Sequence, residues 1–217
     1  PVGCVFCRAG PFQRNLTADE IIAQFEAACS YGTPTSVVFM GSGEPMLNFE
    51  AVSAAIDRIK AHVARRHITL STCGIDLERL HAVPYNVAVS LHSPFQEVRE
   101  RFISFGRVDD IVNFTQVRPV MIEYSLIAGV NDRECDLQKL LSLEFGSETN
   151  FNLIRLNDHN GYTGSDGSWF KEEIRKKGYK CFIRYPRGCD IQAACGMLSP
   201  QAASPRTRMR QSRVPEN

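Results

Sequence analysis

A chain of 217 residues, 43 % apolar and 23 % charged, has the composition of a globular protein and enough length to hide roughly 70 % of its unfolded surface in one core. No apolar run approaches the roughly eighteen residues of a membrane helix, and the start at Pro1 lacks a basic-then-apolar leader, so a cytoplasmic protein without a membrane partner is expected. The net charge of +1 argues neither for nor against nucleic acid, but it is unevenly spread: Arg206, Arg208, Arg210 and Arg213 face Glu216 alone in the tail. The chain therefore divides into a single domain over 1–198 and a basic, disorder-prone tail over 199–217, which adds phosphate attraction at most.

The first feature in chain order is chemical. Cys4 and Cys7 form a C-x2-C pair, compatible with half a zinc site, a redox pair or part of an iron-sulfur ligand set. Structural disulfides are not expected of the eight cysteines, because cytosolic thiols are kept reduced. The other cysteines offer no second C-x2-C pair for zinc, and Cys7 runs into a loop rather than a redox helix. Iron-sulfur ligation gains ground.

Thr17 and Glu20 then spell a capping box ahead of Ile21, Ile22, Phe25 and Ala28 on one helical face. Val37-Val38-Phe39-Met40 reads as a strand, followed by Gly41-Ser42-Gly43-Glu44 and a helix capped by Asn48 that turns Phe49, Val52, Ile56, Ile59 and Val63 inward. Ile68-Thr69-Leu70-Ser71 and Val87-Ala88-Val89-Ser90-Leu91 are further strands, the second leading to His92 and to Ser93-Pro94 with Gln96, a capping box that predicts a helix from Pro94. Val120-Met121-Ile122-Glu123-Tyr124 precedes a helix opened by Asn131 with Glu134. Phe151-Asn152-Leu153-Ile154 precedes Asn157 and a helix over 169–177 that Gly178 stops, and Cys181-Phe182-Ile183 is the last strand. Alternating strands and helices, the strands nearly all apolar, imply an α/β domain with a buried parallel sheet. Polar and glycine residues crowd the carboxyl ends of the strands, where parallel barrels build their sites.

The run Gly3-Cys4-Val5-Phe6-Cys7 through Arg14-Asn15-Leu16-Thr17, Met40-Gly41-Ser42-Gly43-Glu44-Pro45, Leu70-Ser71-Thr72-Cys73-Gly74, Val89-Ser90-Leu91-His92, Arg187-Gly188-Cys189-Asp190-Ile191 and Ala193-Ala194-Cys195-Gly196 together resemble the radical S-adenosylmethionine (SAM) RNA adenine methyltransferases. These six ordered motifs cover Gly3 to about Leu198. The resemblance implies a partial (β/α)6 barrel of the TIM type, a [4Fe-4S] cluster held in part by Cys4 and Cys7, and SAM bound by Gly43, Glu44, Ser71, Ser90, His92 and Asn157. It further implies that Cys195 carries the transferred methyl group to C2 of an adenine in 23S ribosomal RNA or transfer RNA. The implied partners are RNA and an electron donor such as flavodoxin or ferredoxin, with the protein a monomer. Sister readings are methylation at adenine C8, another substrate, or a relative that binds SAM or RNA without turnover. The family's cluster motif is C-x3-C-x2-C, and its first cysteine would fall just ahead of Pro1. The chain therefore reads as a fragment lacking the first strand, the first cluster cysteine and a product-releasing cysteine, with Cys73 and Cys189 as passengers.

Overall fold

The computed structural model describes residues 2–5, 7, 12–158 and 161–185. Cys189, Cys195 and the basic tail lie outside them.

Six strands form one sheet in sequential order, every neighbouring pair parallel. They are β1 (Val37–Phe39), β2 (Ile68–Thr72), β3 (Asn86–Ser90), β4 (Met121–Leu126), β5 (Asn150–Arg155) and β6 (Lys180–Arg184). Helix α1 (Ala18–Cys29) precedes β1, α2 (Phe49–Ile59) joins β1 to β2, and α3 (Gln96–Arg99) with α4 (Val108–Val117) joins β3 to β4. Helices α5 (Glu134–Ser142) and α6 (Ser168–Lys176) complete the later crossovers, while β2 reaches β3 through a single 3-10 turn, Leu77–Leu80. This is the sequential parallel order of a partial TIM-type barrel.

Register decides which side chains meet the helices. Val89, Ile122, Phe151 and Cys181 align across β3 to β6, as do Phe39, Leu70 and Val87 across β1 to β3. These residues are almost all buried, in one core with Val52, Ile56 and Ile59 of α2, Ile111 and Phe114 of α4, Leu137 and Leu140 of α5, and Phe170 and Ile174 of α6. Fully burying each such side chain is worth about 1.5–3 kcal/mol. One residue further along each strand, Ser90, Glu123 and Asn152 align in a polar row on the opposite face. The near-continuous apolar reading holds in that β2 and β4 are buried on both faces, with one polar row set among the apolar residues.

Several helix starts differ from expectation for identifiable reasons. Thr17 caps α1 as its sequence predicts, its hydroxyl accepting from Glu20 N–H while the Glu20 carboxylate accepts from Thr17 N–H. Asn48 makes no cap, because its amide donates instead to Leu16 O at 2.8 Å. Pro94 does not open α3: Ser93 Oγ holds a turn by accepting from Phe95 N–H, and Gln96 accepts from Val108 N–H, so the helix begins two residues later. Asn131 is buried outside α5, which Arg133 and Asp136 start instead. Ser168 is the first helical residue, preceded by Gly167 in the left-handed conformation. Helix α4 has no capping signature and was not expected.

Candidate active site

The loop after β1 is shaped by glycine. Gly41 and Gly43 have φ of 126° and 142°, and a Cβ on Gly41 would lie 2.3 Å from Gly43 N, so a side chain there is excluded. That turn delivers Glu44, 8 % exposed, as the cap of the 3-10 turn Pro45–Asn48. One Glu44 oxygen accepts from Met46 N–H at 3.0 Å and the other from Cys73 N–H at 2.8 Å. The carboxylate thus ties the β1 loop to the segment after β2, and a carboxylate's four lone-pair positions leave acceptor capacity for a cation. Asn15 donates to Leu47 O at 3.2 Å and Asn48 to Leu16 O, stitching the segment before α1 onto the same turn. Arg14 grips both Glu20 oxygens at 2.8 and 2.6 Å, so the Arg-Asn-Leu stretch has a structural role.

On the inner face of the sheet, Ser71 Oγ donates to Glu123 Oε2 at 2.7 Å. Asn152 Nδ2 reaches Glu123 Oε1 at 3.2 Å, with the Arg184 guanidinium 3.5 Å from the same oxygen. Glu123 was hidden in what reads as an apolar strand; the one signal was a lone carboxylate where its neighbours are Ile122 and Tyr124.

Beyond β3, His92 takes a left-handed backbone, φ 56°, and is 4 % exposed. Its Nδ1 accepts from Ser125 N–H at 2.9 Å, which assigns the ring proton to Nε2. Burial first, then the nearby Arg99 and Arg184 charges, push its pKa down to about 3, so the ring is a neutral donor and not a general base at neutral pH. Ser90, half-buried at the end of β3, presents its carbonyl to Arg99 Nη2 at 3.1 Å. Asn157 sits half-buried after β5.

Cys4 and Cys7 share one turn, Cys7 N–H donating to Cys4 O at 3.0 Å. Cys7 is exposed, whereas Cys4 packs against a second apolar cluster containing Val2, Cys73, Phe102, Ile103, Ile127 and Leu156. Burial, then the Cys7 thiol, raise the Cys4 pKa to about 11. Burial and then the Glu44 charge also raise that of Cys73. Without a counter-cation such as a metal, these thiols stay protonated. The described residues contain no group of three potential metal ligands. All six described cysteines are free thiols.

The chain thus brings Gly43 and Glu44, Cys73 and Cys4, and Ser71, Ser90 and His92 to the carboxyl ends of β1, β2 and β3, with Asn157 after β5. A groove of about 440 Å³ runs from the Gly41 to Glu44 loop along the exposed edge of β1 to Phe25 and Gln24 of α1. No helix among the described residues is long and apolar enough to cross a membrane.

The radical SAM superfamily profile matches residues 1–141. The chain is 35 % identical over 223 residues to a probable dual-specificity RNA methyltransferase RlmN of Pseudothermotoga lettingae, covering 91 % of this chain and 65 % of that protein. It is 34 % identical to the dual-specificity RNA methyltransferase RlmN of Halorhodospira halophila, covering 91 % of this chain and 63 % of the relative. It therefore spans just under two thirds of these relatives. A crystal structure of a radical SAM methyltransferase from Sphaerobacter thermophilus superposes with a TM-score of 0.82 at 33 % identity, covering 90 % of this chain and 66 % of that one. The SAM-bound structure of Streptococcus suis SuiB, at 14 % identity and a TM-score of 0.62, shares the fold.

Proposed function

The chain belongs to the radical SAM superfamily, and from that premise we propose that it is the catalytic core of an RNA methyltransferase that modifies C2 of adenine in 23S ribosomal RNA or transfer RNA. The observation that carries the reading is convergence. Glu44, Ser71, Ser90 and His92 come from three successive strands to one rim, in the order of the family's motifs, with Cys4 against Cys73 beside them.

The donor set suits a [4Fe-4S] cluster. Cys4 and Cys7 are soft thiolate ligands on one turn, and beside them a buried Arg99 Nε–H has no partner, which marks a place for negative charge. Held by Cys4 and Cys7, such a cluster would supply the one electron for reductive cleavage of SAM to methionine and a 5′-deoxyadenosyl radical. The chain's own residues hold and orient. Glu44 offers charge-assisted acceptor capacity to the SAM ammonium, and Gly43 lets the backbone approach. Ser71, Ser90, His92 and Asn157 supply hydroxyl, imidazole and amide groups for the carboxylate, ribose and adenine, His92 as a fixed neutral donor.

Cys195 is the methyl carrier by its Ala-Cys-Gly motif and lies outside the described residues. As a thiolate it attacks the SAM methyl carbon, forming an S–CH3 bond while S-adenosylhomocysteine leaves. The names of the relatives, dual-specificity RNA methyltransferases, support the RNA substrate. We place the protein in the cytoplasm, working as a monomer with a flavodoxin- or ferredoxin-class donor. Digestion of RNA from cells expressing the complete protein, followed by nucleoside mass spectrometry, tests the reading: 2-methyladenosine is expected, 8-methyladenosine would move the target to C8, and neither would sink it.

A further inference from the structure

Arg99 ends α3 and is fully buried, at 0 % exposure. Its Nη1 donates to Phe105 O and to Gly106 O, the latter at 2.6 Å, and its Nη2 donates to Cys73 O at 2.5 Å and Ser90 O at 3.1 Å. All four acceptors are neutral carbonyls. Among the described residues its buried Nε–H has no partner, and Arg99 forms no ion pair there. The adjacent Glu100 is exposed and engaged by Gln96 at 2.8 Å. Carbonyl dipoles satisfy the Nη protons, yet a buried charge lacking an anion is unfavourable, and an orphaned donor calls for an acceptor. Arg118 is the internal comparison: it likewise binds carbonyls, those of Leu80, Val83 and Tyr85, but is only partly buried.

Geometry shows where the missing anion belongs: Arg99 Nη2 holds Cys73 O, and Cys73 shares one packed cluster with Cys4. Cys4 is one of the two assigned iron ligands. We propose that Arg99 is the counter-cation of the anionic iron-sulfur group held by Cys4 and Cys7, favouring its more negative, one-electron-reduced state while clamping the Cys73, Ser90 and Gly106 segments around it. This rests on the assignment of Cys4 and Cys7 as ligands. The electron comes from the flavodoxin- or ferredoxin-class donor, and no proton moves, because a guanidinium does not deprotonate in proteins. The added negative charge strengthens attraction to a cation whose position the carbonyls fix, and the low dielectric of the interior makes that attraction large.

The test is an anaerobic redox titration of the complete, cluster-loaded protein, read by electron paramagnetic resonance, for wild type, Arg99→Gln, Arg99→Lys and Arg118→Gln. Arg99→Gln should shift the reduced-to-oxidised ratio at fixed potential about tenfold toward oxidised, a midpoint roughly 59 mV lower for a one-electron couple. Arg99→Lys, which keeps the charge and loses the planar fork, should melt earlier yet keep a midpoint near wild type, as should Arg118→Gln without regard to its stability. Should Arg99→Gln fail to fold, the neutral Arg99→Met takes its place: a tenfold shift toward oxidised supports the assignment, and a near-wild-type midpoint overturns it. A glutamine variant that titrates like wild type also overturns it while leaving the ligands standing. A wild-type protein that takes up no cluster overturns both.

Discussion

His92 shows how one residue is fixed by its surroundings. A left-handed backbone in a non-glycine residue is tolerated by few side chains, and the ring is held there by Ser125 N–H on one side and Asn131 on its carbonyl. Its pKa near 3 lies below the ordinary value of about 6.5, so between these values the unfolded chain binds a proton that the folded chain refuses. The stabilising contribution is therefore complete above about pH 6.5 and is lost progressively as pH falls toward 3. Between pH 7 and 5 the loss is about 2 kcal/mol, or a drop of about 4–8 °C in Tm for a chain of this size. In His92→Asn, which keeps an acceptor for Ser125 and tolerates the backbone, that part of the drop should vanish in SAM-free protein; an unchanged pH dependence of the melting temperature would contradict the buried neutral ring. Glu44 is the second case. Glu44→Ala removes a charge-assisted acceptor worth about 1.5–3 kcal/mol, so calorimetry should find SAM affinity roughly ten- to a hundredfold weaker with iron content nearly unchanged. Equal affinity would remove Glu44 from the site. Both residues were legible because glycine or a short motif flagged them. Glu123 and Arg99 were not, since one sits inside an apolar strand and the other in a short, ordinary-looking helix, and only the fold shows that both are buried.

At the scale of elements, capping signals were trustworthy only where no tertiary partner competed. Thr17 caps α1 on the surface, and Thr17→Ala should cost about 1 kcal/mol in urea unfolding. Asn131 reads equally well as a cap, but its amide lies within reach of three backbone groups, and buried backbone outbids a helix end. Its Oδ1 accepts from Ile127 N–H at 2.7 Å, and its Nδ2 donates to His92 O at 2.6 Å and Ser125 O at 2.8 Å. Asn131 thereby braces the end of β4 against the turn that carries His92. Asn131→Ala removes three hydrogen bonds to buried backbone, each worth about 0.5–1.5 kcal/mol, so unfolding should show a loss above that of Thr17→Ala. A loss equal to the cap mutant would mean that the brace is slack. Strands were read within one or two residues because apolar runs bounded by turn residues admit few alternatives. Helix α4 escaped because Val108, Ile111, Phe114 and Thr115 are buried without any capping motif to announce the start.

Over the whole molecule, residues far apart in sequence act together only because a parallel sheet gathers its strand ends on one rim. Cys4 meets Cys73 in one cluster, and Cys73 meets Glu44 through a backbone bond, so the Cys4 turn, the glycine loop after β1 and the end of β2 form one unit. In the proposed reading that unit binds and cleaves SAM and does not itself carry carbon. The proposed carrier is Cys195, and its charging requires a thiolate and SAM but neither an electron nor RNA. Protein made in cells should therefore already bear one added methyl group on the tryptic peptide that runs from Gly188 to Arg206, on Cys195 and not on Cys189. Cys195→Ala should abolish RNA methylation while retaining iron and SAM binding, because the proposed SAM-holding residues Glu44, Ser71, Ser90 and His92 do not include it. Cys4→Ala should show the converse: the cluster's absorption is lost, yet Cys195 remains available for methylation wherever SAM still binds. A methyl group on Cys189, or an active Cys195→Ala enzyme, would place the carrier elsewhere and separate this chain's chemistry from that of the relatives it resembles.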